Sequence, residues 1–188
     1  MNYKGLSVSL ILILGITSSV FAQKSPVQLL LGGALEVGGE EIAEILFEDG
    51  GSQTVRSGQG ISGYVGGEFT IPSLQQLAFR ASLGFKYVTT AADNAHIRLT
   101  RIPFQFTANY YIIDDLRIGA GLVTHQNIRF KADGVGPDLD FDPASGTIFE
   151  VAYRGFGLSV VIMDYTDEFG NTFSATAAGL TFSGTVSL

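Results

Sequence analysis

The sequence predicts an all-β protein, an eight-stranded antiparallel up-and-down transmembrane β-barrel. Three observations predict this fold class. Apolar and polar residues alternate along most of the chain, turn residues separate the alternating segments, and a short apolar leader precedes them. The clearest alternating segment runs from Ile102 to Ile112, where every second residue is apolar. A period of two is the period of a β-strand, because its successive side chains point to opposite faces of the sheet.

Residues 1–22 have the three-part layout of a secretory signal peptide. Lys4 provides the positive start, an apolar run follows, and Val20 and Ala22 supply the small residues of a cleavage signal. The apolar run is shorter than the roughly 20 residues that a spanning helix needs. No Cys follows the cleavage position, which excludes a bacterial lipoprotein. We therefore expect export to the cell outer membrane, with residues 23–188 forming the outer-membrane β-barrel.

Eight alternating segments lie between turn signals. The predicted strands cover 27–47, 53–71, 77–88, 96–113, 116–131, 146–153, 156–165 and 172–188. Asp49-Gly50, Asp114-Asp115 and Arg154-Gly155 are turn signals, and Asp-Gly and Gly-Gly pairs supply positive φ angles. Residues 40–46 could instead form a short amphipathic helix. The Asp-Gly turn midway between the clear strands favours an extended hairpin there.

The connections between these strands alternate in length. The links after the second, fourth and sixth strands are short, whereas the others are mostly longer or more polar. Outer-membrane barrels combine short periplasmic turns with longer outer loops and an even number of strands. In lipid every backbone polar group needs an internal partner. We therefore expect the eighth strand to pair with the first and close the sheet.

The polar face of the predicted strands carries seven charges of both signs. If the apolar face contacts lipid, these side chains point into the lumen, where opposite charges should pair because an unpaired buried charge is costly. The predicted lumen charges are Glu36, Glu68, Arg80, Lys86, Arg101, Arg117 and Glu150. We expect a plugged, ion-paired interior and a structural or interaction role through the outer loops.

Two other classes of protein stay open at this stage. A soluble, secreted lipocalin-like barrel that binds a ligand would turn the same strands around and bury the phenylalanines. A channel or transport barrel for small molecules is motivated by the small residues Gly84, Gly119 and Gly121 on the predicted inward face.

Three segments resemble the small eight-stranded outer-membrane β-barrel proteins. The first is RIPFQFTANYYIIDDLRIGAGLVTHQN, from Arg101 to Asn127, with an Arg-x-Pro-aromatic start, a short turn and a Gly-x-Gly strand. SGQGISGYVGGEF and RASLGFKY are similar to the second and third strands of that family. The resemblance implies a fold and an outer-membrane location, whereas functions vary within the family. The family typically ends in an aromatic residue, and this chain ends in Leu188.

Composition and residue pattern argue against several activities. The formal net charge is −7 and no basic run is present, so nucleic acid is not an expected partner. His96 and His125 are the only histidines. Small barrels that modify lipid A use a His with a Ser, but Gln126 and Asn127 follow His125. A nucleophile also needs a base oriented by a third group, and no such set is visible. We expect no enzyme activity and no cofactor.

Two further groups of charged residues could either bind a ligand or be ordinary solvent-exposed side chains. Asp138, Asp140 and Asp142 alternate as oxygen ligands of Ca²⁺ could, but the Gly and closing Glu of an EF-hand are missing. We therefore expect a solvated acidic loop and no metal. Arg129 and Lys131 could meet lipopolysaccharide phosphates or form an ordinary solvated rim. Membrane lipid, with lipopolysaccharide as a further candidate, is the expected partner of a monomeric chain.

A proline interrupts the fourth predicted strand. Pro103 has no backbone N–H to donate to the neighbouring strand, so it predicts a bulge or a local break in the pairing.

Overall fold

The computed structural model describes residues 25–46, 52–89, 96–134 and 136–187, all of them in strands, turns or irregular segments. The predicted signal peptide lies outside these residues. Within them, no helix is present that could cross a membrane. The strands are β1 Val27–Gly38, β2 Glu41–Leu46, β3 Ser52–Arg56, β4 Gly60–Ile71, β5 Leu74–Thr89, β6 Arg98–Ile113, β7 Leu116–Lys131, β8 Leu139–Phe141, β9 Ala144–Tyr153, β10 Phe156–Ile162, β11 Asp164–Thr166, β12 Thr172–Ser174 and β13 Ala177–Ser187.

Eight of the strands form a closed antiparallel ring. The order is β6-β5-β4-β1-β13-β10-β9-β7, and β7 pairs with β6 to complete the circuit. The predicted all-β class, the antiparallel order and the count of eight strands are confirmed. So is the pairing of the last strand with the first, in a register that sets Leu35 opposite Leu180. Closure gives every ring strand two neighbours, so none of them is a free edge.

Three two-residue turns lie at one end of the ring, which we call the turn end. They are Pro72-Ser73, Asp114-Asp115 and Arg154-Gly155. Arg154 and Gly155 have φ angles of 51° and 85°, the pair of positive values that a type I′ hairpin turn requires. β5 begins at Leu74, three residues before its predicted start, so the first link is shorter than expected. The opposite end, with the longer connections, is the loop end.

The long first and second predicted strands are each broken in two. β1 ends at Gly38, and Gly38 and Gly39 have φ angles of 123° and 84°, positive values with which these glycines turn the chain away from the main sheet. β2 and β3 then form a separate two-stranded sheet at the loop end. The extended hairpin predicted here is confirmed and the helical alternative is wrong. The prediction that this hairpin continues the first two strands within the main sheet is also wrong.

The last two predicted strands are divided in the same way. β10 ends before Met163 and β13 begins after Thr176, so that β11 and β12 form a second small hairpin at the loop end. β8 was not predicted; it lies in the acidic link before β9 and pairs with β7. Near Pro103 the β6–β7 register shifts between Thr100 and Ile102, which is the expected local bulge.

The two faces of the ring differ in burial. The outward face consists of exposed apolar side chains along all eight strands, whereas the inward face is buried and largely polar. A cluster of buried apolar residues lies at the loop end, where the two hairpins and β8 meet the ring. This loop-end cluster comprises Val55, Ile97, Leu99, Val123, Ile128, Phe130, Ala132, Phe141, Ala144, Ile148, Val161, Met163, Tyr165 and Ala175.

Candidate functional site: the polar interior of the ring

All seven predicted lumen charges lie on the inward face of the ring, in two layers. The turn-side layer contains Glu68, Arg80, Arg117 and Glu150, and the loop-side layer contains Glu36, Lys86 and Arg101. Strand alternation places them there, because each has the inward parity of its own strand. The stagger of the ring decides which of them meet.

In the turn-side layer every charge has an opposite partner. Arg80 Nε donates to Glu68 Oε2 at 2.6 Å, and Arg117 Nη1 donates to Glu150 Oε2 at 2.5 Å. Ser183 joins the two pairs, because its hydroxyl accepts from Arg80 Nη1 and Arg117 Nη2 at 3.3 Å each. The layer is a continuous network of equal positive and negative charge.

Neutral groups complete the turn-side layer. The Tyr111 hydroxyl donates to Glu68 Oε2 at 3.1 Å and accepts from Arg80 Nη2 at 3.2 Å. Asn109 Oδ1 accepts from Arg117 Nη1 at 2.8 Å, and Thr181 donates to Glu150 Oε1 at 2.5 Å. Each carboxylate and guanidinium is thus held by more than one neighbour, which fixes its orientation in the interior.

The loop-side layer contains two cations and one carboxylate. Lys86 Nζ lies 2.9 Å from Glu36 Oε2, with both side chains buried. Lys86 and Arg101 are direct cross-strand partners on β5 and β6. Arg101 is fully buried, and its Nη atoms donate to the backbone carbonyls of Ser57 and Gln59. The segment between β3 and β4 is therefore attached to the interior by cations.

His125 lies beside this layer, on the inward face of β7. It is 4% exposed, and its Nδ1 lies 2.5 Å from the hydroxyl of Tyr165 in β11. His96, in contrast, is exposed two residues before β6, where its backbone N–H donates to Asp133. The two histidines are thus in different environments, and the neighbour of His125 is a buried tyrosine.

Little free space remains between the two layers. A cavity of about 30 Å³ is lined by side chains of both, including Glu36, Arg80 and Glu150. This volume holds one water molecule. Toward the loop end the interior is covered by the loop-end cluster, in which Tyr165 and Val55 are almost completely buried. The side chains of the two layers therefore leave little room for a ligand between them.

The acidic link before β9 is folded back onto β7. Asp138 accepts from the backbone N–H of Ala132 at 2.8 Å and from Lys131 Nζ at 3.0 Å, and these bonds hold the pKa of its carboxyl below the usual value. Asp140 lies 3.8 Å from Arg129. Asp142 is exposed on the same link. No three of the described His, Asp and Glu side chains are arranged to hold a metal ion.

Several residues of the interior were not among the sequence-based candidates. Asn109 and Tyr111 share the polar face of the fourth predicted strand, so their inward position followed from the alternation already noted. Tyr165 and Ser183 also have the inward parity of their predicted strands, but their contacts come from strands distant in sequence and were not predictable. The pairing of the charges depends on how neighbouring strands are shifted relative to one another around the ring. The residue pattern of a single strand does not contain that information.

Comparison with known proteins does not assign the chain to a family. No family model and no curated protein matches the sequence.

Proposed function

We propose that the chain is an integral outer-membrane β-barrel with a plugged, ion-paired lumen, and that it acts as a structural or interaction protein through its loop end. The observation that supports this most is the distribution of side chains across the sheet. The outward face exposes Leu35, Ile61, Leu83, Phe85, Phe104, Phe106, Leu122, Phe149, Leu158, Leu180 and Phe182. The inward face holds the buried charges.

This distribution suits lipid and is unfavourable in water. Leu122 and Leu180 are 63% and 60% exposed, and comparable residues lie on every ring strand. Soluble monomers rarely expose contiguous apolar patches above a few hundred Å². In a membrane the same face contacts acyl chains, and the polar interior is the arrangement typical of transmembrane barrels.

Strand length and end asymmetry agree with a spanning orientation. β5, β6 and β7 have 16 residues each, more than the roughly 9–11 that a tilted membrane strand needs. The excess lies toward the loop end, where the strands continue beyond the outward apolar band. We place the turn end in the periplasm and the loop end outside, as in barrels with short periplasmic turns.

The channel interpretation loses its motivation in the folded chain. The inward glycines do not line an open path, because a Cβ at Gly119 would lie 2.5 Å from Asn109 and one at Gly84 would lie 2.7 Å from the Gly63 carbonyl. Glu150 and Arg117 lie across the same interior. A lipocalin-like barrel would need an apolar interior pocket, whereas the cavity between the two layers is bordered by charges.

The loop end supplies the surface for an interaction role. Its exposed side chains are mainly acidic, including Glu40, Glu41, Glu44, Asp133, Asp140, Asp142, Asp164 and Glu168. Arg129 and Lys131 already contact Asp140 and Asp138. Those contacts weaken the case for lipopolysaccharide phosphates at the rim, and the acidic loops favour a partner with positive charge.

Cell fractionation tests the location. The full chain expressed in a bacterium with an outer membrane should remain in the membrane pellet after alkaline carbonate washing. It should also migrate faster on gels when unheated than when boiled, because a closed sheet resists detergent. Recovery in the soluble periplasm, with one gel position regardless of heating, would contradict the proposal.

A further inference from the structure

Two like charges lie directly opposite each other in the loop-side layer. Lys86 and Arg101 are cross-strand partners, and both are buried. Like charges in this position repel, and burial strengthens the repulsion. Glu36 compensates one of them. Among the described residues no second carboxylate pairs with this layer, so it retains one positive charge, unlike the balanced turn-side layer.

Arg101 is held by neutral groups only. Its two Nη atoms donate to the carbonyls of Ser57 and Gln59, and its Nε has no hydrogen-bond partner in the described part of the chain. Lys86 Nζ donates to the carbonyl between these two, that of Gly58, at 2.7 Å. Three consecutive carbonyl oxygens thus face two buried cations. A guanidinium fork presents the donors that a carboxylate or a phosphate accepts in pairs.

We propose that Arg101 and Lys86 form a binding site for a small oxyanion, a carboxylate or phosphate group, whose place the carbonyls of residues 57–59 occupy in this conformation. The carbonyl oxygens accept from the Nη atoms of Arg101 and from Lys86 Nζ, but they leave Arg101 Nε without a partner and the extra positive charge uncompensated. An oxyanion satisfies both. The inference goes beyond the proposed function, because it depends only on the interior and not on the membrane.

Binding requires residues 57–59 to move, since their carbonyl oxygens already accept from the donors of Arg101 and Lys86. This segment connects the β2–β3 hairpin to the ring. Gly60, with a φ of 147°, follows it, and Gly39 marks the other base of the hairpin. The Ser57 hydroxyl donates to the Ser174 carbonyl at 2.5 Å, which holds the segment in its present position. The ligand enters from the loop end.

Equilibrium dialysis of radiolabelled inorganic phosphate against the full chain folded in detergent tests the site. We expect saturable binding of one phosphate per chain, with competition by acetate if carboxylates are also accepted. Arg101→Gln should weaken binding at least about tenfold, because a charge-assisted bond is lost. Arg98→Gln is the matched control, since Arg98 is exposed on the same strand and its loss should leave binding unchanged.

Glu36→Gln should change the phosphate affinity in the opposite direction. An increase in affinity cannot result from misfolding of the variant. The substitution removes the competing carboxylate, so phosphate should bind about tenfold more tightly or better. Circular dichroism checks the fold of each variant. The proposal is overturned if neither the unmodified chain nor Glu36→Gln binds phosphate or acetate saturably at millimolar concentration. Equal binding by Arg101→Gln and Arg98→Gln would overturn it as well.

Discussion

Arg80 shows how a buried cation is satisfied in the interior. Its side chain is 11% exposed, and it donates to Glu68, Tyr111 and Ser183. A buried ion pair adds little net stability over a well-packed apolar pair, but removing one member leaves an uncompensated charge. The turn-side network therefore limits which single substitutions the chain can tolerate.

Glu68→Gln should lower the free energy of unfolding by about 3 kcal/mol. Gln keeps an acceptor for Arg80 but not the negative charge, so the expected loss is at the lower end of that for a broken buried pair. The measurement is urea unfolding in lipid vesicles followed by circular dichroism, because the chain has no Trp.

Asp115→Asn is the matched control for this carboxylate-to-amide change. Asp115 accepts from Arg154 Nε at 2.8 Å, but both side chains are solvent-exposed. Exposed pairs contribute about 0–1 kcal/mol. Equal losses of unfolding free energy for Glu68→Gln and Asp115→Asn would show that the buried network stabilises the fold no more than an exposed ion pair does.

The His125–Tyr165 pair makes a smaller, local contribution. Tyr165→Phe removes the hydroxyl that lies 2.5 Å from His125 Nδ1 and leaves that nitrogen buried without its partner. We expect a loss of about 1–3 kcal/mol. Tyr110→Phe removes an exposed bond to Gln76 and should change little. The same urea titration separates the two, and a neutral Tyr165→Phe would mean that the pair does not stabilise the fold.

At the scale of the element, the turn between β9 and β10 depends on one glycine. Gly155 has a φ of 85°, and a Cβ there would lie 2.5 Å from the Ser183 carbonyl oxygen. Gly155→Ala should cost at least about 1–2 kcal/mol from backbone strain alone. Gly184→Ala, where a Cβ meets nothing within 4 Å, should be nearly neutral. Thermal unfolding of both variants gives the comparison, and similar melting temperatures would contradict it.

The strands were predictable to the extent that alternation determines them. A period of two is a local property, so the ring strands and their inward charges could be placed from the sequence. The breaks at Gly38-Gly39 and at residues 57–59 were not predicted, because the Asp49-Gly50 turn midway between the clear strands favoured one extended hairpin. Pairing such as that of Lys86 with Arg101 also depends on stagger between strands, which no single segment contains.

At the scale of the whole molecule, the cost of a charge on the outward face distinguishes lipid from water. Leu122 is 63% exposed near the middle of the outward band, so Leu122→Arg should cost about 2–4 kcal/mol in a bilayer. Ile113 is 59% exposed beside the turn at Asp114, where the same change should cost about 0–1 kcal/mol. Refolding into lipid vesicles measures both. If neither substitution changes the free energy of folding, the outward face contacts water and not lipid.

The outward direction of the apolar face is the central claim, and spin-label accessibility tests it most directly. The chain has no Cys, so Val65→Cys, Leu83→Cys and Leu122→Cys each provide one labelling position on that face. In lipid vesicles, labels there should be relaxed by oxygen and not by a water-soluble nickel complex, whereas a label at Asp142→Cys should show the reverse. Relaxation of the three outward labels by the nickel complex would contradict the account.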